Sequence, residues 1–168
     1  MDAIDTSRSD CWVIGYGNFL RQDDGIGSYI IGRVEKAIKH KKTIRTLALH
    51  QLDIVLVEEL QHARAIIFVD ATMDVVDNGW KRVKIAPEFR GVYHVTHRLD
   101  PSFFLGLIHS LYEKYPETWL VTVQGDNFEF REGLTVQAEQ RACRAASEII
   151  DFLGRHYDHP QITDNHLT

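Results

Sequence analysis

Residues 13 to 27, Val-Ile-Gly-Tyr-Gly-Asn-Phe-Leu-Arg-Gln-Asp-Asp-Gly-Ile-Gly, leave few architectures open to this chain. An apolar strand runs into Gly15, Gly17 and Asn18, and a pair of acids, Asp23 and Asp24, then opens a helix. Strand, glycine turn and helix in that order form the unit from which open α/β sheets are built, and the unit carries functional groups to the C-terminal ends of the strands. A nucleotide site would present bare backbone N–H groups at such a turn. This turn presents carboxylates, which suit a metal ion or a proton.

The rest of the chain continues the alternation. Cys11 to Gly17 reads as the first strand and Asp24 to about Lys39 as a helix, with Ile26, Ile30, Val34 and Ile38 four apart on one face. Thr43 to His50 reads as a second strand, and Leu52 to Gln61 as a short helix with Leu52, Val55, Leu56 and Leu60 apolar. Ala63 to Val69 is a near-continuous apolar run that stops at Asp70, as expected of a strand covered on both faces. Trp80 to Ile85 follows the turn Asp77-Asn78-Gly79, and its Lys81, Arg82 and Lys84 mark an antiparallel edge strand. Asp100-Pro101 reads as an N-cap with proline at the first helical position, and Phe103, Phe104, Leu107, Ile108 and Leu111 are expected to face inward. Trp119 to Gln124 is a further buried strand, and Thr135 to about Leu153 the closing helix. The pattern predicts a three-layer α/β fold: about five strands, mostly parallel, one antiparallel edge strand, and helices on both faces. One domain is expected over 1–168, with its core over about 11–154 and a polar tail at 155–168. A chain of this length buries roughly 70% of its unfolded surface.

Several function classes drop out. With 19 basic and 24 acidic residues the net charge is −5, the wrong sign for phosphate backbones. The one basic run, Lys36 to Arg45, lies at the end of the first helix and complements its dipole. A dinucleotide fingerprint fails at Leu20, where the third glycine belongs, and at Leu47-Ala-Leu-His50, where no ribose-binding acid ends the second strand. Cys11 and Cys143 form no metal-type pair and read as packing residues. Neither a GxSxG elbow nor an HExxH helix is present. The opening residues are polar and no apolar stretch reaches spanning length, so a cytoplasmic location off the membrane is expected.

Asp24 follows the first strand and Asp70 ends the third, so a parallel sheet brings both to its C-terminal edge. His97, in Tyr-His-Val-Thr-His-Arg, lies in the loop before Asp100-Pro101 and can reach the same end, with His94 and His50 as competitors. Two carboxylates and an imidazole hold a divalent first-row metal with coordination positions open. Taken singly, each has a plainer role: Asp23 or Asp24 as a helix cap, Asp70 as a turn acid, His97 as a loop histidine.

Together these segments resemble the hydrogenase maturation protease family over roughly Trp12 to Leu153. Gly15-Tyr-Gly17-Asn18-Phe-Leu20-Arg-Gln-Asp23-Asp24-Gly25-Ile-Gly27 is similar to that family's G-x-G-N-x-L-x-x-D-[DE]-G-x-G. Val69-Asp70-Ala71, Val95-Thr96-His97 and Glu132-Gly133-Leu134-Thr135 resemble its later segments. The resemblance implies an endopeptidase that removes the C-terminal extension of a nickel–iron hydrogenase large-subunit precursor. Asp24, Asp70 and His97 would be its metal-contacting residues, and the metal would be nickel carried by the precursor's own cysteines. It also implies that the partner is that precursor and that no resident cofactor is needed; a monomer is expected. A nickel-checking chaperone that binds the precursor without cutting it uses the same residues. Two departures stand out: Asp24 replaces a glutamate common in the family, and Leu49-His50-Gln51-Leu52-Asp53 replaces an Asp-Gly-Gly-Thr-type loop. Peptidyl-tRNA hydrolase-like enzymes share the Gly-x-Gly-Asn strand end, but they need a histidine soon after it. Arg21 to Val34 contains none.

Overall fold

The structure, a computed structural model, describes residues 10–89 and 99–157. Five strands form one sheet: β1 (Cys11–Tyr16), β2 (Ile44–Leu49), β3 (Ala65–Thr72), β4 (Trp80–Ile85) and β5 (Glu117–Gln124), in the order β2-β1-β3-β5-β4. The β1–β2, β1–β3 and β3–β5 pairs are parallel, and β4 joins β5 antiparallel at the edge. Four α-helices complete the described residues: α1 (Ile26–Ile38), α2 (Leu56–Leu60), α3 (Pro101–Tyr112) and α4 (Val136–His156). The expected three-layer α/β architecture is the one observed.

Strand alternation sends successive side chains to opposite faces and splits the core in two. Val13, Ile67, Val69, Val121 and Val123 pack under α1 and α4. Trp12, Ile14, Tyr16, Ile66 and Phe68 pack under α2 and α3. The Ala65 to Val69 run is wholly buried because its strand is third of five and covered on both faces.

Several boundaries move, each for a local reason. Asp23 and Asp24 lie in a 3-10 turn, Gln22–Gly25, ahead of α1, and neither caps that helix. α2 shrinks to Leu56–Leu60 because Asp53 closes a turn in front of it, its Oδ1 accepting from Val55 N at 3.0 Å. Leu52 stays buried, whereas Val55 is 67% exposed and Val57 takes its place in the core. β3 begins at Ala65 and continues through Asp70 to Thr72, since β5 pairs with it that far. In α3 the cap is as expected, Asp100 Oδ1 accepting from Phe103 N at 2.9 Å. Its buried side chains are Pro101, Phe104, Leu105 and Ile108, while Leu111, expected inside, is exposed in the last turn before Glu113 reverses the chain at φ +55°. α4 continues past Leu153 to His156, and Tyr157 is buried with its hydroxyl donating to Glu117 Oε2 at 2.8 Å. The core therefore extends into the stretch expected to be tail. No helix among the described residues is long and apolar enough to cross a membrane.

Candidate functional site

The order β2-β1-β3 puts a switch point between β1 and β3: the chain leaves β1 toward one side and later returns to pair on the other. Open α/β sheets bind ligands in the crevice outside such a point, at the strands' C-terminal ends. Asp24 arrives there on the loop after β1 and Asp70 on β3 itself. Register continues from Gly15 opposite Val69, so Asp70 stands beside Tyr16, one residue before Gly17.

The glycines explain how Asp24 gets so close to the strand end. Gly17 has φ +138°, and a Cβ there would fall 2.0 Å from the Asp24 carbonyl oxygen and 3.5 Å from its carboxyl carbon. Gly15 and Gly27 lie backbone against backbone: a Cβ on Gly15 would meet the Gly27 oxygen at 2.4 Å, and one on Gly27 the Tyr16 oxygen at 2.6 Å. The motif's spacing thus seats the start of α1 directly on β1. Asp24, 5% exposed, then accepts a hydrogen bond from Asn18 N at 2.9 Å through Oδ2. Asp70, half-buried, accepts one from the Tyr16 hydroxyl at 3.1 Å, also through Oδ2.

Asp23 does different work. Fully buried, it accepts from the backbone N–H of Asp126 (2.7 Å), Asn127 (3.0 Å) and Thr135 (2.7 Å), and from the Thr135 hydroxyl (2.8 Å). Thr135 in turn caps α4. Backbone bonds between the same loops reinforce the clasp: Gln22 N to Arg131 O at 2.8 Å, Arg131 N to Leu20 O at 3.0 Å, and Asp23 N to Asn127 O at 3.0 Å. This fastening holds Gln22 at φ +47°, a conformation worth about 1–3 kcal/mol of strain in a non-glycine residue.

Of the sequence-derived candidates, Asp24 lies on the loop after β1 and Asp70 on the neighbouring β3, both at the strand-end edge, and His97 and its competitor His94 lie outside the described residues. His50 is exposed just beyond β2. Sequence reasoning missed two residues. Tyr16 sits at the variable position of Gly-x-Gly-Asn, which no pattern singles out. For Asp23 the sequence offers a helix cap or a group that orients a neighbouring ligand, and its partners Asp126, Asn127 and Thr135 lie more than a hundred residues away. The thiols offer no alternative chemistry: burial pushes the Cys11 thiol up to about 12, Arg64 only partly opposing it. Cys143 lies on α4 beside the Tyr29 hydroxyl at 3.4 Å. Among the described residues no cluster of three histidine, cysteine or acidic side chains is gathered to hold a metal. The chemistry of Asp24 and Asp70 fits a divalent ion as a two-carboxylate half-site, which needs further ligands from elsewhere. Around it the strand-end loops expose Phe19 (61%), Met73 (78%), Val75 (87%) and Phe130 (83%).

A mostly parallel α/β domain with two aspartates at the strand-end edge of adjacent strands is the class these features define. Solved structures share the fold. The [NiFe] hydrogenase maturation protease HycI from Thermococcus kodakarensis KOD1 superposes with TM-score 0.67 at 20% identity, over 88% of this chain and 94% of that one. The hydrogenase maturating endopeptidase HybD from E. coli gives 0.65 at 18% identity, over 87% and 93%. The hydrogenase 2 maturation peptidase from Thaumarchaeota archaeon SCGC_AB-539-E09 gives 0.62 at 17%, over 86% and 98%. The sequence matches no protein-family model and no curated protein. The chain has the fold of hydrogenase maturation proteases.

Proposed function

We propose that this protein is an endopeptidase that removes the C-terminal extension of a nickel–iron hydrogenase large-subunit precursor after nickel has been inserted. The observation that supports the reading is the placement of Asp24, on the loop after β1, and Asp70, on the adjacent β3, at the same edge of the sheet, each carboxylate accepting a hydrogen bond. With His97 as third ligand, they complete the coordination of nickel held by the precursor's cysteines. An ion so placed supplies Lewis acidity to a scissile carbonyl or to water. Oxygen and imidazole donors without thiolate bind free nickel weakly, which makes the precursor the source of tight ligands and cleavage conditional on loading. Exposed apolar side chains on the surrounding loops suit a protein substrate better than a small one. The enzyme works as a monomer in the cytoplasm.

The test is an intact-mass measurement on a hydrogenase large-subunit precursor, nickel-loaded or nickel-free, before and after incubation with this protein. The loaded form should lose its extension, and the nickel-free form should stay whole even with protease in excess. A loaded precursor that is bound but never shortened would make the protein a nickel-checking chaperone. Efficient cutting of nickel-free precursor by protein carrying stoichiometric zinc would replace the mechanism with that of an ordinary zinc peptidase. In the same assay His97→Ala should abolish processing and His94→Ala should not.

A further inference from the structure

Tyr16 occupies the end of β1 on the face covered by α2 and α3, with only 8% of its surface exposed. Its ring meets Phe68 edge-on, centroids 6.4 Å apart, and that contact needs no hydroxyl. The hydroxyl is used elsewhere, donating to Asp70 Oδ2 at 3.1 Å. At 3.1 Å the contact is longer than the usual charge-assisted phenol–carboxylate bond, so its value lies in orientation more than in strength. It fixes the carboxylate plane, which on a bare aspartate turns over a broad torsional well. Carboxylates that contact metals are commonly oriented by such outer hydrogen bonds.

We infer that Tyr16 is the positioning residue for Asp70, holding its carboxylate in the orientation that meets the metal. The inference rests on Asp70 facing the precursor's nickel. Sequence reasoning alone could not reach it, because the pair is 54 residues apart and meets only through the β1–β3 register. Apolar side chains at position 16 would satisfy the core equally well, so the hydroxyl has its use at the strand end.

Tyr16→Phe separates the two roles, since the ring and its contact with Phe68 remain. The experiment compares wild type, Tyr16→Phe and Asp70→Asn as full-length proteins. It measures nickel(II) chloride binding by calorimetry, cleavage of nickel-loaded precursor, and thermal unfolding. Tyr16→Phe should weaken nickel binding about tenfold and, because the nickel rides on the precursor, lower kcat/KM by about the same factor. Its melting temperature should stay within a few degrees of wild type. Asp70→Asn should lose nickel binding and cleavage altogether. If Tyr16→Phe binds and cleaves like wild type while Asp70→Asn fails, the positioning role is wrong and the reading of Asp70 survives. Wild-type behaviour in Asp70→Asn overturns both.

Discussion

The two edges of this sheet use similar side chains to opposite ends. At the edge where the parallel strands begin, charged and aromatic groups satisfy one another. Glu117 accepts from Lys84 Nζ at 2.7 Å and from the Tyr157 hydroxyl at 2.8 Å, and the Arg64 guanidinium lies 5.2 Å from the centre of the Tyr157 ring. At the edge where they end, Asp23 is held by three backbone N–H groups and a hydroxyl, Asp24 accepts from Asn18 N, and Asp70 from Tyr16. A cation partner neutralises a carboxylate as it orders it. A neutral donor orders it and leaves its charge in place. Ion pairing with Lys84 helps close the first edge; at the second, where Arg141 also pairs with Asp126 at 2.7 Å, backbone and hydroxyl donors position the carboxylates that the proposed function uses. Within the second edge the contrast recurs between neighbours, since Asp23 fastens the loops and Asp24 stands at the switch point they enclose.

The sharpest way to break that contrast is Asp23→Ala, which strands three part-buried N–H donors and a hydroxyl at about 1 kcal/mol each. It should lower unfolding free energy by at least about 3 kcal/mol in urea titrations. A variant as stable as wild type would show that the backbone bonds alone hold the loops. Gly17→Ala comes next. Its φ and the approach of Asp24 both exclude a Cβ, so about 2–3 kcal/mol should be lost together with nickel binding.

A smaller effect belongs to the strand-start edge. Burial first, then the Glu117 hydrogen bond, raises the Tyr157 phenol above its ordinary range, and burial raises the Cys11 thiol to about 12. Both folded values exceed the unfolded ones, so their contribution is whole below the ordinary thiol and phenol ranges and fades as pH rises through the folded values. Melting temperature should therefore fall on the alkaline side, and Tyr157→Phe should flatten that limb. Glu117 is lowered, Lys84 being the largest cause and Tyr157 the next, so its contribution is present above the ordinary glutamate range and lost as pH falls through the folded value. Lys84→Met should flatten the acid limb by a smaller amount, because the pair is largely exposed. Limbs unaffected by either substitution would mean the titrating groups lie elsewhere.

The fold was legible because its signals are local and periodic. Four-residue spacing in α1, the unbroken apolar run of β3 and the charged edge strand β4 each report burial that the sheet order then realises. The placement of Asp24 and Asp70 at one edge was legible for a related reason, since parallel topology sends every strand end to the same side. The jobs of Asp23 and Tyr16 were not, because both depend on partners 54 or more residues distant that only the folded chain supplies. Leu111 and Val55 fail in the other direction: apolar and on phase, yet placed at a helix end and in a turn that the sheet does not cover.

On the proposed function, Asp24 and Asp70 act on the substrate while Asp23 holds the site together, a division of labour open to a direct test. Its most direct measurement is the mass of nickel-loaded hydrogenase large-subunit precursor after incubation with wild type, Asp24→Asn and Asp70→Asn, alongside thermal unfolding of each. Wild type should shorten the precursor, and both variants should leave it full length while melting within a few degrees of wild type. A folded Asp24→Asn or Asp70→Asn protein that trims the precursor at the wild-type rate would contradict the account.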